Sequence, residues 1–140
     1  MFDKNYEEQL ILWSEFRNHL EQSQTPLEDT VSFYSTSPNS SLNTDPWDQA
    51  CWPSPWELLQ ENQYCSFTRV LGYCFSLQLT ERFTGSEFEI HISTDDEKGY
   101  LYHLVLDKNW ALGSEKIILT YEKFAKKYKP HLVYDMTNCI

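Results

Sequence analysis

The sequence predicts an α+β protein: an N-terminal helix and long arm, then a central buried helix packed on a small antiparallel sheet. Three patterns in the 140 residues carry this. Apolar residues recur at three- and four-residue steps over about 4–22 and again over about 64–82, the spacing of helices with a buried face. Alternation with a period of two replaces this in Glu87-Phe88-Glu89-Ile90-His91-Ile92-Ser93 and in Tyr100-Leu101-Tyr102-His103-Leu104-Val105-Leu106, as half-buried strands require. Helices come first and strands afterwards, which separates the chain from alternating α/β arrangements.

The first helix presents Tyr6, Leu10, Trp13, Phe16 or Arg17, and Leu20 on one side, and Pro26 follows its end. Such a stripe suits packing on the chain's own domain or docking on another chain. Residues 23–50 are rich in Ser, Thr, Asn and Pro and read as an arm without regular structure. The arm nevertheless carries Leu27, Val31, Phe33, Tyr34, Leu42 and Trp47. This change in composition divides the chain into a helix and arm, 1–50, and a compact α+β domain, 51–140. In Trp52-Pro53-Ser54-Pro55-Trp56-Glu57-Leu58-Leu59, Ser54 can cap a short helix over about 55–60. Pro55 suits the first helical position, and Glu57 completes a capping box. The following helix is apolar around most of its circumference through Phe67, Val70, Leu71, Cys74, Phe75, Leu77 and Leu79, so it should be the buried one. Gly72 inside it costs about 1 kcal/mol relative to Ala unless close packing offsets that.

Pairing Ile90 with Leu104 aligns Phe88 with Leu106 and Ile92 with Tyr102 on one apolar face. The same register sets His91 opposite His103 on the other face. Residues 94–99, acidic and ending in Gly99, should form the turn. Further strands are expected around Trp110-Ala111-Leu112, around Ile117-Ile118-Leu119 and at His131-Leu132-Val133-Tyr134. A short helix capped by Thr120 precedes the last of them and ends before Lys129-Pro130.

Composition excludes several functions. Eleven basic against 21 acidic residues leave a net charge of −10, with no cationic stripe to displace counterions from nucleic acid. No apolar run approaches the roughly 20 residues needed to span a bilayer, so neither nucleic acid nor membrane is an expected partner. The first residues lack the pattern of a secretory signal, and Cys51, Cys65, Cys74 and Cys139 are expected to be reduced thiols. No Cys-x-x-Cys pair occurs, and His19, His91, His103 and His131 are scattered, so no metal site is expected. Nothing calls for a cofactor: the four glycines are dispersed and form no phosphate loop.

Over residues 50–113, Trp52 through Leu59 before Tyr64-Cys65-Ser66-Phe67, followed by His103-Leu104-Val105-Leu106 and Asn109-Trp110-Ala111-Leu112-Gly113, resembles the transglutaminase-like (papain-like) architecture in degenerate form. The resemblance implies a cysteine hydrolase or acyltransferase, with Cys65 as nucleophile at a helix N-terminus and His103 as base. Where that family carries an acidic orienting residue this chain has Leu112 and Gly113, and Asn109 and Glu115 do not match its place. Strand alternation also opposes the pairing, because a central helix covering the Tyr102 and Leu104 face leaves His103 on the far side.

A second resemblance rests on Asn43-Thr44-Asp45-Pro46-Trp47-Asp48, Tyr64-Cys65-Ser66-Phe67 and Leu77-Gln78-Leu79-Thr80-Glu81-Arg82-Phe83. Over about residues 42–113 the chain is similar to small uncharacterised proteins of large contractile-tailed bacteriophages of cyanobacteria. It implies a virion component (tail, neck or baseplate) made in a host bacterial cytoplasm, whose partners are other phage structural proteins or further copies of itself. The leading expectation is therefore a non-enzymatic structural protein, docking through Trp13, Phe33, Tyr34, Trp47, Trp52 and Trp56, since buried aromatic anchors supply much of the energy of interfaces. The alternatives are the cysteine enzyme and an acidic inhibitor that mimics nucleic acid. Removing residues 1–50 is expected to leave a folded domain that no longer assembles.

Overall fold

Strand alternation sorts the side chains of one five-stranded sheet into two unequal layers. The computed structural model describes residues 1–95 and 99–137; the acidic residues Asp96 and Glu97 of the expected turn, and Cys139, lie outside them. In chain order come α1 (Tyr6–Leu20), α2 (Pro26–Tyr34), a 3₁₀ turn (Gln49–Cys51), α3 (Pro55–Glu61), α4 (Ser66–Gln78), β1 (Phe88–Asp95), β2 (Gly99–Leu106), β3 (Trp110–Gly113), β4 (Ile118–Thr120), α5 (Tyr121–Lys127) and β5 (Pro130–Asp135). All strand pairs are antiparallel, in the order β4-β3-β2-β1-β5. The chain thus leaves the β4 edge through α5 and returns at the opposite edge. The fold is α+β, and the register of β1 on β2 is the one that alternation demands, with Phe88 opposite Leu106, Ile90 opposite Leu104 and His91 opposite His103.

The larger layer holds the core. Phe88, Ile90, Ile92, Tyr102, Leu104, Leu106 and Leu112 project from the sheet against Phe67, Val70, Leu71, Cys74 and Leu77 of α4. The N-terminal part of the chain enters the same core: Phe2, Trp13, Leu20, Leu27, Val31 and Tyr34 are all buried in it. Composition had placed a boundary at residue 50, yet the apolar cluster runs across that position.

The largest departure from the sequence reading is α2, which occupies part of the supposed irregular arm. Leu27, Thr30, Val31 and Tyr34 are its buried residues, at i, i+3, i+4 and i+7, and Pro26 sits in its first turn. Asp29 ties the turn from α1 together, accepting from Ser23 Oγ (2.5 Å) and Thr25 Oγ1 (3.1 Å) while His19 Nε2 lies 2.9 Å away. The Ser- and Thr-rich composition is therefore that of a hydrogen-bonded turn before α2, in which the hydroxyls of Ser23 and Thr25 are tied to the Asp29 carboxylate of the first turn.

Residues 35–54 do lack long elements but are stitched to the body. Arg69 of α4 donates to Ser37 Oγ (3.0 Å), to Asn39 Oδ1 and to the Tyr64 carbonyl (3.5 Å). Tyr64 N donates to Pro38 O (3.0 Å), Trp52 Nε1 to Asp45 O (3.0 Å) and Tyr134 Oη to Pro46 O (3.0 Å). The central helix is also shorter than its hydrophobic pattern, ending at Gln78 instead of near 82. Thr80 Oγ1 donates to the Leu77 carbonyl (2.6 Å), satisfying an acceptor that a continuing helix would have used.

One buried hydroxyl joins three helices. Ser76 Oγ accepts from Trp13 Nε1 (2.9 Å) and lies 2.9 Å from Tyr34 Oη. It links α4 to α1 and α2 at a point where neither ring's polar end reaches water.

Candidate functional site

The six aromatic residues expected to dock a partner divide by burial. Trp13, at 2% exposure, and Tyr34 are core residues, so those two candidates are corrected: they hold the fold together and present no surface. Phe33 is half-buried, stacked on Phe16 with centroids 3.9 Å apart. Trp52 is half-buried between Phe67 and Tyr134, at 4.9 and 4.6 Å. Trp47 and Trp56 remain exposed at 45% and 44%.

The Trp-Pro-Ser-Pro-Trp segment builds a groove around this pair of environments. Ser54 Oγ accepts from Glu57 N (3.2 Å) while Glu57 Oε1 accepts from Ser54 N (3.1 Å), and Pro55 opens α3. This capping box fixes the bend that sets Trp52 before the helix and Trp56 on its first turn. Together with Pro53, Phe75 and Met136 they line a groove of about 460 Å³. The inner edge of Trp56 meets Trp13, with centroids 5.5 Å apart at 74°. Nearby, Trp47 meets Tyr100 at 5.1 Å and 76°, two exposed rings forming a corner.

The surroundings are acidic. Asp45 Oδ1 accepts from Trp47 N (2.9 Å), and Asp48 Oδ2 accepts from the Cys51 thiol (3.0 Å). The Asp48 carboxylate, by this hydrogen bond and by its charge, pushes the Cys51 thiol up from its ordinary pKa. Burial first, then Asp45 and Asp48, raises the Tyr134 phenol as well.

The candidate catalytic pair is not assembled. Cys65 is the N-cap of α4 and is 3% exposed; its Sγ accepts from Thr68 N (3.5 Å) and lies 3.4 Å from Thr68 Oγ1. Burial pushes its thiol up, but hydrogen bonds from the Thr68 side chain and from the amides of Thr68, Asn43 and Phe67 outweigh this, leaving it below the ordinary value. The donors gathered at the start of α4, the Thr68 side chain first, thus favour the thiolate. Among the described residues its side-chain hydrogen-bond partner is Thr68 and not an imidazole or carboxylate. Tyr102 packs on Phe67 on the α4 side, at 5.3 Å, so its neighbour His103 points through to the other layer.

There His103 lies under α5, 4.8 Å from the Phe124 ring and 5.0 Å from Tyr128. His91, its cross-strand partner, is 5.4 Å from the same Phe124 ring, with Nε2 3.3 Å from Glu89 Oε1. Gly113 opposes His103 because a Cβ there would stand 3.2 Å from the imidazole. His103 also lines a cleft of about 90 Å³ with Ser114, Glu115, Lys127 and Tyr128. Burial, then the neighbouring His91 and Lys127, lowers its pKa to about 4. His91 is lowered too, mainly by burial, against the opposing pull of Glu89.

The sign of the resulting pH dependence follows. Above about pH 6.5, the value in the unfolded chain, both states hold a neutral imidazole. As pH falls from there the unfolded chain takes up protons first, so stability is lost progressively until His103 itself protonates near pH 4. The full loss from this residue is about 3 kcal/mol. Urea midpoints at pH 7 and pH 4.5 check it: His103→Phe should lose much less stability than wild type over that interval, and parallel losses would refute the linkage.

Among the described residues no group of three or more His, Cys, Asp or Glu could hold a metal ion, and no helix is long and apolar enough to cross a membrane. The buried link through Ser76 and the half-buried one through Arg69 carried no sequence signal, since isolated polar residues on a helix acquire partners only after packing. No protein-family model matches the chain, and neither the curated proteins nor the solved structures searched include a match to it.

Proposed function

We propose that this protein is a non-enzymatic structural component of a bacteriophage particle, docking on another virion protein through Trp47, Trp56 and the groove beside Trp52. The observation that carries the reading is the exposure of Trp56 in a groove lined also by Trp52, Pro53, Phe75 and Met136, together with the exposed Trp47–Tyr100 corner. Large rings left in water at a preformed concavity supply a partner with area at little entropic cost, as interface hot spots do. The carboxylates of Asp45 and Asp48 beside Trp47 favour a partner with basic residues around the contact. The phage setting rests on the sequence resemblance alone.

The cysteine-enzyme alternative keeps the lowered Cys65 thiol in its favour but lacks a base on the same side of the sheet. Rapid alkylation of Cys65 at neutral pH, abolished by His103→Ala, would support that alternative over docking.

The docking test is a double substitution, Trp47→Ala with Trp56→Ala, introduced into the phage. Because the two rings are exposed, the isolated variant should keep the wild-type circular dichroism spectrum and melt within a few degrees of it. Mass spectrometry of purified particles should find the wild-type chain and at least tenfold less of the variant. Incorporation of the variant at the wild-type level would sink the reading.

A further inference from the structure

We propose that the His91–His103 pair is an acid-sensitive latch for α5: protonation of His103 releases this helix from the sheet while β1 and β2 stay paired. The inference is independent of the docking surface on the other layer.

The geometry has three parts. First, both imidazoles are nearly sealed beneath α5, and the Nδ1 atoms of His91 and His103 are buried with no hydrogen-bond partner. The arrangement that costs least keeps hydrogen on Nε2 of each ring, donated to Glu89 by His91, and leaves a bare lone pair on each Nδ1. An incoming proton must then occupy a nitrogen that meets neither water nor an acceptor, in surroundings made by Val105, Ala111 and Phe124.

Second, the charges nearby do not help His103. Glu89 from β1 faces His91, so a protonated His91 has a carboxylate at hand; Asp135 from β5 pairs in register with Glu89 and accepts from Thr137 N. From β2 and β3 the same layer receives only Leu101, Val105, Ala111 and Gly113. α5 brings Lys127, and Lys108 precedes β3; both act to keep the pair neutral, Lys127 on His103 and Lys108 on His91. Glu115 shares the cleft beside His103, but Lys127 lines it as well. Within α5, Lys126 is engaged with Glu122 at 3.1 Å. Adding a cation at His103 therefore brings like charge under a lysine-rich helix.

Third, α5 is the element that can yield. It has seven residues, and Phe124 is the only one that is buried. It packs against β3 and the three-residue edge strand β4, whereas β1 and β2 are paired over eight positions at the sheet centre. Release frees both imidazoles to titrate in water. With a docked value near 4 for His103 and about 6.5 when released, going from pH 7 to pH 5 shifts the equilibrium toward release on the order of 20-fold.

Hydrogen exchange on the full chain at pH 7 and pH 5, corrected for intrinsic rates, tests this. The α5 amides should lose protection on the order of 20-fold relative to those of β1 and β2, and His103→Phe should remove the difference. Equal loss in α5 and in β1–β2, or the same loss in His103→Phe, overturns the proposal. Should that variant fail to fold, NMR titration of the wild-type imidazoles decides. A His103 midpoint below about 6 supports the latch, and one at about 6 or above overturns it.

Discussion

A chain beginning at residue 51 is expected not to fold, against what composition suggests. It would lack Phe2, Trp13, Leu20, Leu27, Val31 and Tyr34, all buried in the core shared with α4 and the sheet. Each such side chain contributes about 2 kcal/mol through burial, so the six together are comparable to the 5–15 kcal/mol by which domains are typically stable at all. The truncation would also uncover Gly72 and Ser76 on α4, Gly72 losing the Tyr34 ring packed against it and Ser76 both its ring partners. A flat thermal melt, poor dispersion of amide resonances and aggregation are the expected readings for residues 51–140. A cooperative melt near the wild-type temperature would show instead that the first fifty residues are dispensable to the core.

Substitution of Gly72 should be nearly as damaging. An ideal Cβ at this position would lie 2.7 Å from Cε1 and 2.8 Å from Cζ of Tyr34. The ring cannot swing away cheaply, because it is buried, hydrogen-bonded through Oη to Ser76 and edge-on to Tyr73 with centroids 5.7 Å apart. Gly72→Ala in an exposed helix would stabilise by about 1 kcal/mol. Here overpacking reverses the sign, and a net loss of about 2 kcal/mol is expected, rising with Gly72→Val. A double-mutant cycle isolates the cause: in a Tyr34→Leu background, itself destabilised, Gly72→Ala should become neutral or favourable. Additive effects of the two substitutions in urea titrations would place the strain elsewhere.

The elements legible in the sequence are those whose signal lies within a few residues. The capping box at Ser54 and Glu57 and the alternation of β1 and β2 each involve neighbours along the chain, and each forms. Even the placement of His91 against His103, and the separation of His103 from Cys65, follow from a period of two applied to one register. What misled was composition. Ser23, Thr25, Pro26 and Asp29 resemble a linker when counted but form the hydrogen-bonded entrance to α2 once their spacing with Leu27, Val31 and Tyr34 is read as helical. The aromatic candidates divided for a similar reason: a tryptophan looks the same in a sequence whether its ring is a core residue, as at position 13, or a surface one, as at 56.

From its own residues, then, the chain determines an α+β fold, a sheet with one apolar face, and a histidine pair on the other, whose burial under α5 only the structure shows. Those outcomes depend on local hydrogen bonds and on which way successive side chains point. Only the assembled structure decides that α1 and α2 complete the core, that Ser76 and Gly72 are where they lock onto α4, and that Trp47 and Trp56 remain at the surface. The packing of α1 and α2 on α4 joins residues up to 63 positions apart. No local preference encodes such contacts, because they exist only after distant apolar surfaces have excluded water together.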